Sequence, residues 1–162
     1  MTRKKTEPQT AAALGGLVRL AGSWAGPSKL WVDPRLPERA SDSVMIVGTK
    51  GNGRFVTFTY TWADDGEPHD GLIVFGFDDE RGAITAHWFD SWHTGNKVMQ
   101  FEGTAETGGT VVVRGTYVAP AGPDWGWTIR VEPGDDAFQL IMHNITPDGD
   151  EALAVEARYE RA

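Results

Sequence analysis

The chain has 162 residues, seven tryptophans, no cysteine and a formal net charge of −8. That length buries one sizeable core without a staple, and the lack of cysteine removes disulfides, thiolate metal sites and cysteine nucleophiles together. Fifteen scattered basic side chains against 23 acidic ones would repel a phosphate backbone, so nucleic acid is not an expected partner.

Arg3-Lys4-Lys5 is followed by Glu7, Pro8 and Gln9, without the apolar run and small-residue cleavage site of a signal peptide. No later stretch approaches about 18 consecutive apolar residues, the length that reads as a membrane span. A soluble protein in the cytoplasm, with no membrane partner, is expected. Residues 1–9 read as a disordered polar tail and 10–162 as a single domain. Thr10 to Ala21 can form a short helix with Thr10 as N-cap and Leu14, Leu17 and Val18 on one side, weakened by Gly15-Gly16. Such a helix depends on docking and would lid or plug something.

From Gly22 the pattern changes to short runs rich in β-branched and aromatic residues, separated by turn chemistry. Strands are expected at 23–31, 41–48, 54–62, 69–77, 83–90, 96–104, 110–118, 126–132, 137–146 and 151–160. Breakers such as Gly51-Asn52-Gly53, Asp64-Asp65-Gly66 and Pro147-Asp148-Gly149 join them, none long enough for a helical crossover. The predicted fold is therefore all-β, a single closed up-and-down antiparallel barrel of about ten strands with a short N-terminal helix. Closure removes the two open edges. A barrel wider than eight strands leaves a cavity unless large side chains occupy it.

The chemistry concentrates in Ala86-His87-Trp88-Phe89-Asp90-Ser91-Trp92-His93-Thr94-Gly95. A two-residue period places Trp88, Asp90 and Trp92 on one face and His87, Phe89, Ser91 and His93 on the other. Trp88 shares parity with Ile84 and Ala86, so that face should point inward. Asp90 has two readings. In an aromatic pocket, desolvation would raise its pKa and make it an acid or base with His87 as candidate partner; as a strand-ending residue it would accept hydrogen bonds from the backbone of Ser91 to Thr94. The second is favoured by the turn-like sequence that follows. His87 and His93, six residues apart on a straight strand, cannot share a metal, and no metal site or cofactor is expected. Gly48 to Gly53 has glycines but no following helix, so it is a hairpin rather than a phosphate loop.

Gly22-Ser23-Trp24-Ala25-Gly26, Asp70-Gly71, Gly76-Phe77-Asp78 and Trp88-Phe89-Asp90-Ser91-Trp92-His93-Thr94-Gly95 resemble the DUF1579 family, with its W-x-D-S-x-x-T-G run after a G-[YF]-D turn, over roughly residues 14–161. The resemblance implies a calycin-like closed barrel, the class that includes lipocalins, fatty-acid-binding proteins and nitrobindins. It further implies a structural pair in which Arg161, or else Arg158, packs over Trp24 to close the barrel bottom. In the nitrobindin branch a histidine near the chain end ligates haem; here the final strand has none, and His143 on the strand before is the nearest candidate.

The leading functional expectation is a binding barrel whose aromatic-lined cavity takes a small hydrophobic or amphipathic molecule. Its candidate site residues are Tyr60, Trp62, Trp88, Asp90, Trp92, Trp127, Arg130 and His143. The alternatives are a barrel enzyme of isomerase or cyclase type using Asp90 with a histidine, and a haem-binding barrel. A third reading is associative: strand faces apolar on both sides, such as Phe55 against Phe58 and Tyr60, would suit a homodimer.

Overall fold

The structure, a computed structural model, describes residues 3–162, with side chains described from Gln9 onward. A helix, α1 (Arg3–Val18), precedes ten strands: β1 (Gly22–Leu30), β2 (Arg39–Lys50), β3 (Phe55–Asp64), β4 (Glu67–Asp78), β5 (Ala83–Asp90), β6 (Met99–Ala105), β7 (Val111–Tyr117), β8 (Trp125–Glu132), β9 (Ala137–Ile145) and β10 (Glu151–Arg161). Every strand pairs antiparallel with its sequence neighbours, and β1 pairs with β10, so the sheet is a closed barrel. All ten expected strands are present. The largest boundary difference is at β6, which starts at Met99 rather than residue 96 because the turn after Asp90 runs on past His93-Thr94-Gly95 to Val98.

The helix begins at Arg3, so Thr10 lies inside it rather than at its N-cap. Of the tail expected at 1–9, Met1 and Thr2 lie outside the described residues. Leu14, Leu17 and Leu20 are wholly buried, whereas Val18 faces solvent. The Gly15-Gly16 pair that weakens the helix has a packing reason: a side chain at Gly16 would collide with the backbone of Gly109, in the 3-10 turn Thr107–Gly109. The helix thus lies against the barrel end formed by the turns before β3, β5, β7 and β9.

That end is closed by packing. Trp24 and Phe138 meet edge to face at 4.8 Å, Phe58 contacts Phe75 at 5.1 Å and Phe138 at 5.9 Å, and Phe138 stacks on Tyr159 at 4.8 Å. The Trp24 indole N–H donates to Leu20 O at 2.7 Å, and the Arg161 guanidinium lies 4.3 Å from the Trp24 ring. Arg161 also donates to Arg19 O and Ala21 O at 3.1 and 3.3 Å, satisfying carbonyls just past the helix end where a cation is favoured. Arg158 points outward.

Candidate functional site

The opposite, open end carries the loops 31–38, 91–98, 118–124 and 146–150. Here β5 ends at Asp90, whose inward side chain is buried to 3% exposure together with Ile84, Ala86 and Trp88. One carboxylate oxygen, Oδ2, accepts from the Tyr60 hydroxyl at 2.6 Å and the Trp62 indole N–H at 3.1 Å. The other, Oδ1, accepts from the backbone N–H groups of Trp92 and His93 at 2.8 and 2.9 Å. Four donors fill the roughly four lone-pair positions a carboxylate offers. The backbone-capping reading of Asp90 therefore holds, enlarged by two side chains from β3.

The remaining residues of the stretch tie the turn down. The Asp90 N–H donates to Thr94 Oγ1 at 2.8 Å, and Asp90 O accepts from Thr94 and Gly95 N–H at 2.9 and 3.1 Å. Ser91 N–H donates to Asp70 O at 3.0 Å while Ser91 Oγ accepts from Asp70 N–H at 3.2 Å, which pins the turn to β4. Gly71 sits opposite both Tyr60 and Asp90 in the ladders, and a side chain there would collide with the phenol of Tyr60. A bare glycine is what lets that phenol cross to the carboxylate. Tyr60 in turn accepts the Trp88 indole N–H at 2.8 Å, and burial beside Asp90 holds its own pKa well above the usual phenol value, so it remains a donor.

Above this network lies a cavity of about 710 Å³, walled by Trp88, Trp127, His93, Tyr117, Asn144, Met99, Leu30 and Leu153, with Trp92 and Lys97 at the rim. Around Asp90, Tyr60 and Trp62 the free space is only about 20 Å³, room for a water molecule and not for an organic substrate. Trp88 and Trp127 stack at 5.6 Å, and Tyr117 donates to Asn144 Oδ1 at 2.6 Å. The Trp127 indole N–H is buried and has no acceptor.

His93 is the residue that the strand pattern misplaced. Strict alternation put it beside His87, but the turn begins at Ser91 and returns its ring to the lumen, against Trp92 at 4.7 Å, Trp88 at 5.1 Å and Trp62 and Trp127 at 5.5 Å. Desolvation among these rings lowers its pKa to about 4 despite the opposing pull of Asp90, so the imidazole is neutral at pH 7. The signal was available in Asp90-Ser91, a turn-starting pair that ends the two-residue period.

Three expected site residues stand elsewhere. His87 is exposed on the outer wall, so the barrel wall separates it from Asp90 and the two cannot converge on a substrate. Arg130 also faces outward, because it alternates with the inward Ile129 and Val131, and there it donates to Glu132 at 2.7 Å and Glu106 at 3.2 Å. His143 alternates with the inward Met142 and therefore also faces out. Tyr60 and Trp62 do face inward but serve Asp90 rather than the open space. Trp92 reaches the rim, its indole N–H on Asp64 at 3.2 Å. Among the described residues, no group of three or more histidines and carboxylates is placed to hold a metal ion, and no helix is long and apolar enough to cross a membrane.

A closed antiparallel barrel plugged at one end and open to an aromatic cavity at the other defines the class. Residues 11–161 match the model of the family described as "Protein of unknown function (DUF1579)", and the chain belongs to that family. The crystal structure of Rv2717c from M. tuberculosis is similar in fold, with a TM-score of 0.63 at 17% identity, covering 92% of this chain and 96% of that one. A DUF3598-family protein of unknown function from Nostoc punctiforme aligns with a TM-score of 0.39 at 9% identity, over 89% of this chain and 48% of that one. No curated protein matches the sequence.

Proposed function

We propose that the protein is a small-molecule-binding barrel that takes a hydrophobic or amphipathic ligand at its open end. The observation that carries this reading is the cavity of about 710 Å³ between Trp88, Trp127 and Tyr117, within the range of small-ligand sites. Apolar walls with a few polar groups at fixed places are the usual composition of such sites. The reading extends to a calycin-like barrel, supported by the Arg161 guanidinium over Trp24 at the closed end. A panel of fatty acids, retinoids, flavonoids and polyketides, titrated against tryptophan fluorescence, tests the proposal: saturable quenching by at least one class is expected, and its absence across the panel overturns it.

Catalysis by Asp90 finds no support in this geometry, since all its acceptor positions are taken and the adjoining space admits no substrate. For haem, the cavity segment of β10 is Ala152-Leu153-Ala154, and His143 faces away, so neither candidate position offers an iron ligand.

A further inference from the structure

His93 is the polar side chain of the cavity that the fold leaves unused. Its ring sits among four tryptophans, yet among the described residues no group bonds to either ring nitrogen. The only unpartnered side-chain nitrogen or oxygen shut off from solvent among those residues is the Trp127 indole nitrogen, so both His93 nitrogens keep accessible surface. His93 lines the large cavity and also the small space around Asp90, which places it at the cavity floor. Because its ring is neutral at pH 7, one nitrogen accepts a hydrogen bond and the other donates one. Asn144 adds a second neutral group to the wall: its Oδ1 takes the Tyr117 hydroxyl at 2.6 Å, and its NH₂ has no acceptor among the described residues.

Charge is missing from this floor. Lys97 is the one formally charged residue on the cavity wall, and it stands exposed at the rim. A ligand carboxylate brought down to His93 would lose its water beside the Asp90 carboxylate. An ammonium there would meet acceptor positions that four donors already fill.

We infer that the ligand is an uncharged molecule with a hydroxyl on an apolar body, a phenol or an alcohol, and that this hydroxyl bonds to the His93 imidazole at the cavity floor; this rests on the binding reading above and narrows it to a ligand class. A hydroxyl donates and accepts without carrying charge, so it can meet either ring nitrogen. An ether of the same shape can only accept, and leaves the imidazole acceptor unpaired.

Three probes of one ring size separate the terms: 2-naphthol, 2-methoxynaphthalene, which lacks the donor, and 2-naphthoate, which is an anion. In equilibrium dialysis against the full chain at pH 7, 2-naphthol should bind about tenfold more tightly than the ether, the worth of one hydrogen bond to a group otherwise unpaired. The naphthoate should bind more weakly than 2-naphthol. His93→Phe keeps a ring and removes both nitrogens, and should weaken 2-naphthol about tenfold while leaving the ether within about twofold. His87→Phe, on the outer wall, should change neither. The unmodified chain gives an independent reading: of its four histidines, only His93 should show shifted ring-nitrogen NMR resonances consistent with a hydrogen bond on adding 2-naphthol. Equal affinities for naphthol and ether, tighter binding of the naphthoate, or unmoved His93 resonances overturn the hydroxyl assignment while a bound ether keeps the binding cavity in place. If none of the three binds, the cavity reading itself falls and this inference falls with it.

Discussion

The two ends of the barrel hold comparable numbers of aromatic rings and use them in opposite ways. At the closed end, Trp24, Phe58, Phe75, Phe138 and Tyr159 touch one another, and Leu14, Leu17 and Leu20 cover them, so the lumen is filled. At the open end, Trp62, Trp88, Trp92 and Trp127 surround His93 and leave about 710 Å³ beside them. Aromatic content alone does not decide between these outcomes. The difference lies in the frame: the rings below are held mainly by contact with each other, whereas above, Trp62 and Trp88 hang on hydrogen bonds that converge on Asp90 and Tyr60, and Trp92 on one to Asp64.

The comparison can be broken at either end. Trp24→Ala should have the largest effect, a loss of about 3–5 kcal/mol in denaturant unfolding, because it empties a packed site and frees the helix end. Trp88→Ala should cost less, about 3 kcal/mol, since its neighbours Trp127 and His93 border the cavity and can relax into the space it leaves; it should also reduce ligand affinity, which Trp24→Ala at permissive temperature should not. Equal stability losses with unchanged binding would show both ends to be filler. Asp90→Asn replaces an acceptor by an NH₂ that faces donors, and should cost about 2 kcal/mol with increased proteolytic nicking at residues 91–98.

The smallest effect sharpens the comparison through pH. The unfolded chain protonates His93 near pH 6.5, but the folded chain resists until about 4, so the native state binds fewer protons in that window. Stability is unaffected by this group above pH 6.5 and falls as the pH drops from 6.5 towards 4. With partial solvent screening the loss should be about 1–2 kcal/mol. His93→Phe should remove it, seen as a shallower decline in urea midpoint relative to the parent across that range.

The strand order was legible because each hairpin carries its own turn chemistry, as in Asp64-Asp65-Gly66, where Asp65 and Gly66 adopt positive φ values of 50° and 82°. Parity placed Trp88, Asp90 and Trp127 in the lumen for the same local reason. His93 escaped because the two-residue period was carried past Asp90, where the side chain's own bonds to Trp92 and His93 N–H end the strand. Arg130 and His143 were chosen for their chemistry against their parity; alternation with Ile129 and Met142 already put both outside. The Tyr60 to Asp90 contact joins residues 30 apart through a glycine on an intervening strand, a relation that no local pattern contains.

The seam between β1 and β10 sets a kinetic constraint. Nine of the ten pairings join consecutive strands through short turns, and the tenth brings Arg161 to carbonyls as far as 142 residues away. Ordering that loop is the costliest closure in the chain, and it precedes the gain from the Arg161 bonds to the helix end. The barrel should therefore zip as hairpins and close late, with the helix docking only after a closed rim exists to receive it. Joining Ala162 to Gly22 directly and opening the chain at the Gly51-Asn52-Gly53 turn removes α1 and converts the slowest pairing into a local one, and stopped-flow refolding of that permutant should show the late phase accelerated relative to a linear chain that starts at Gly22.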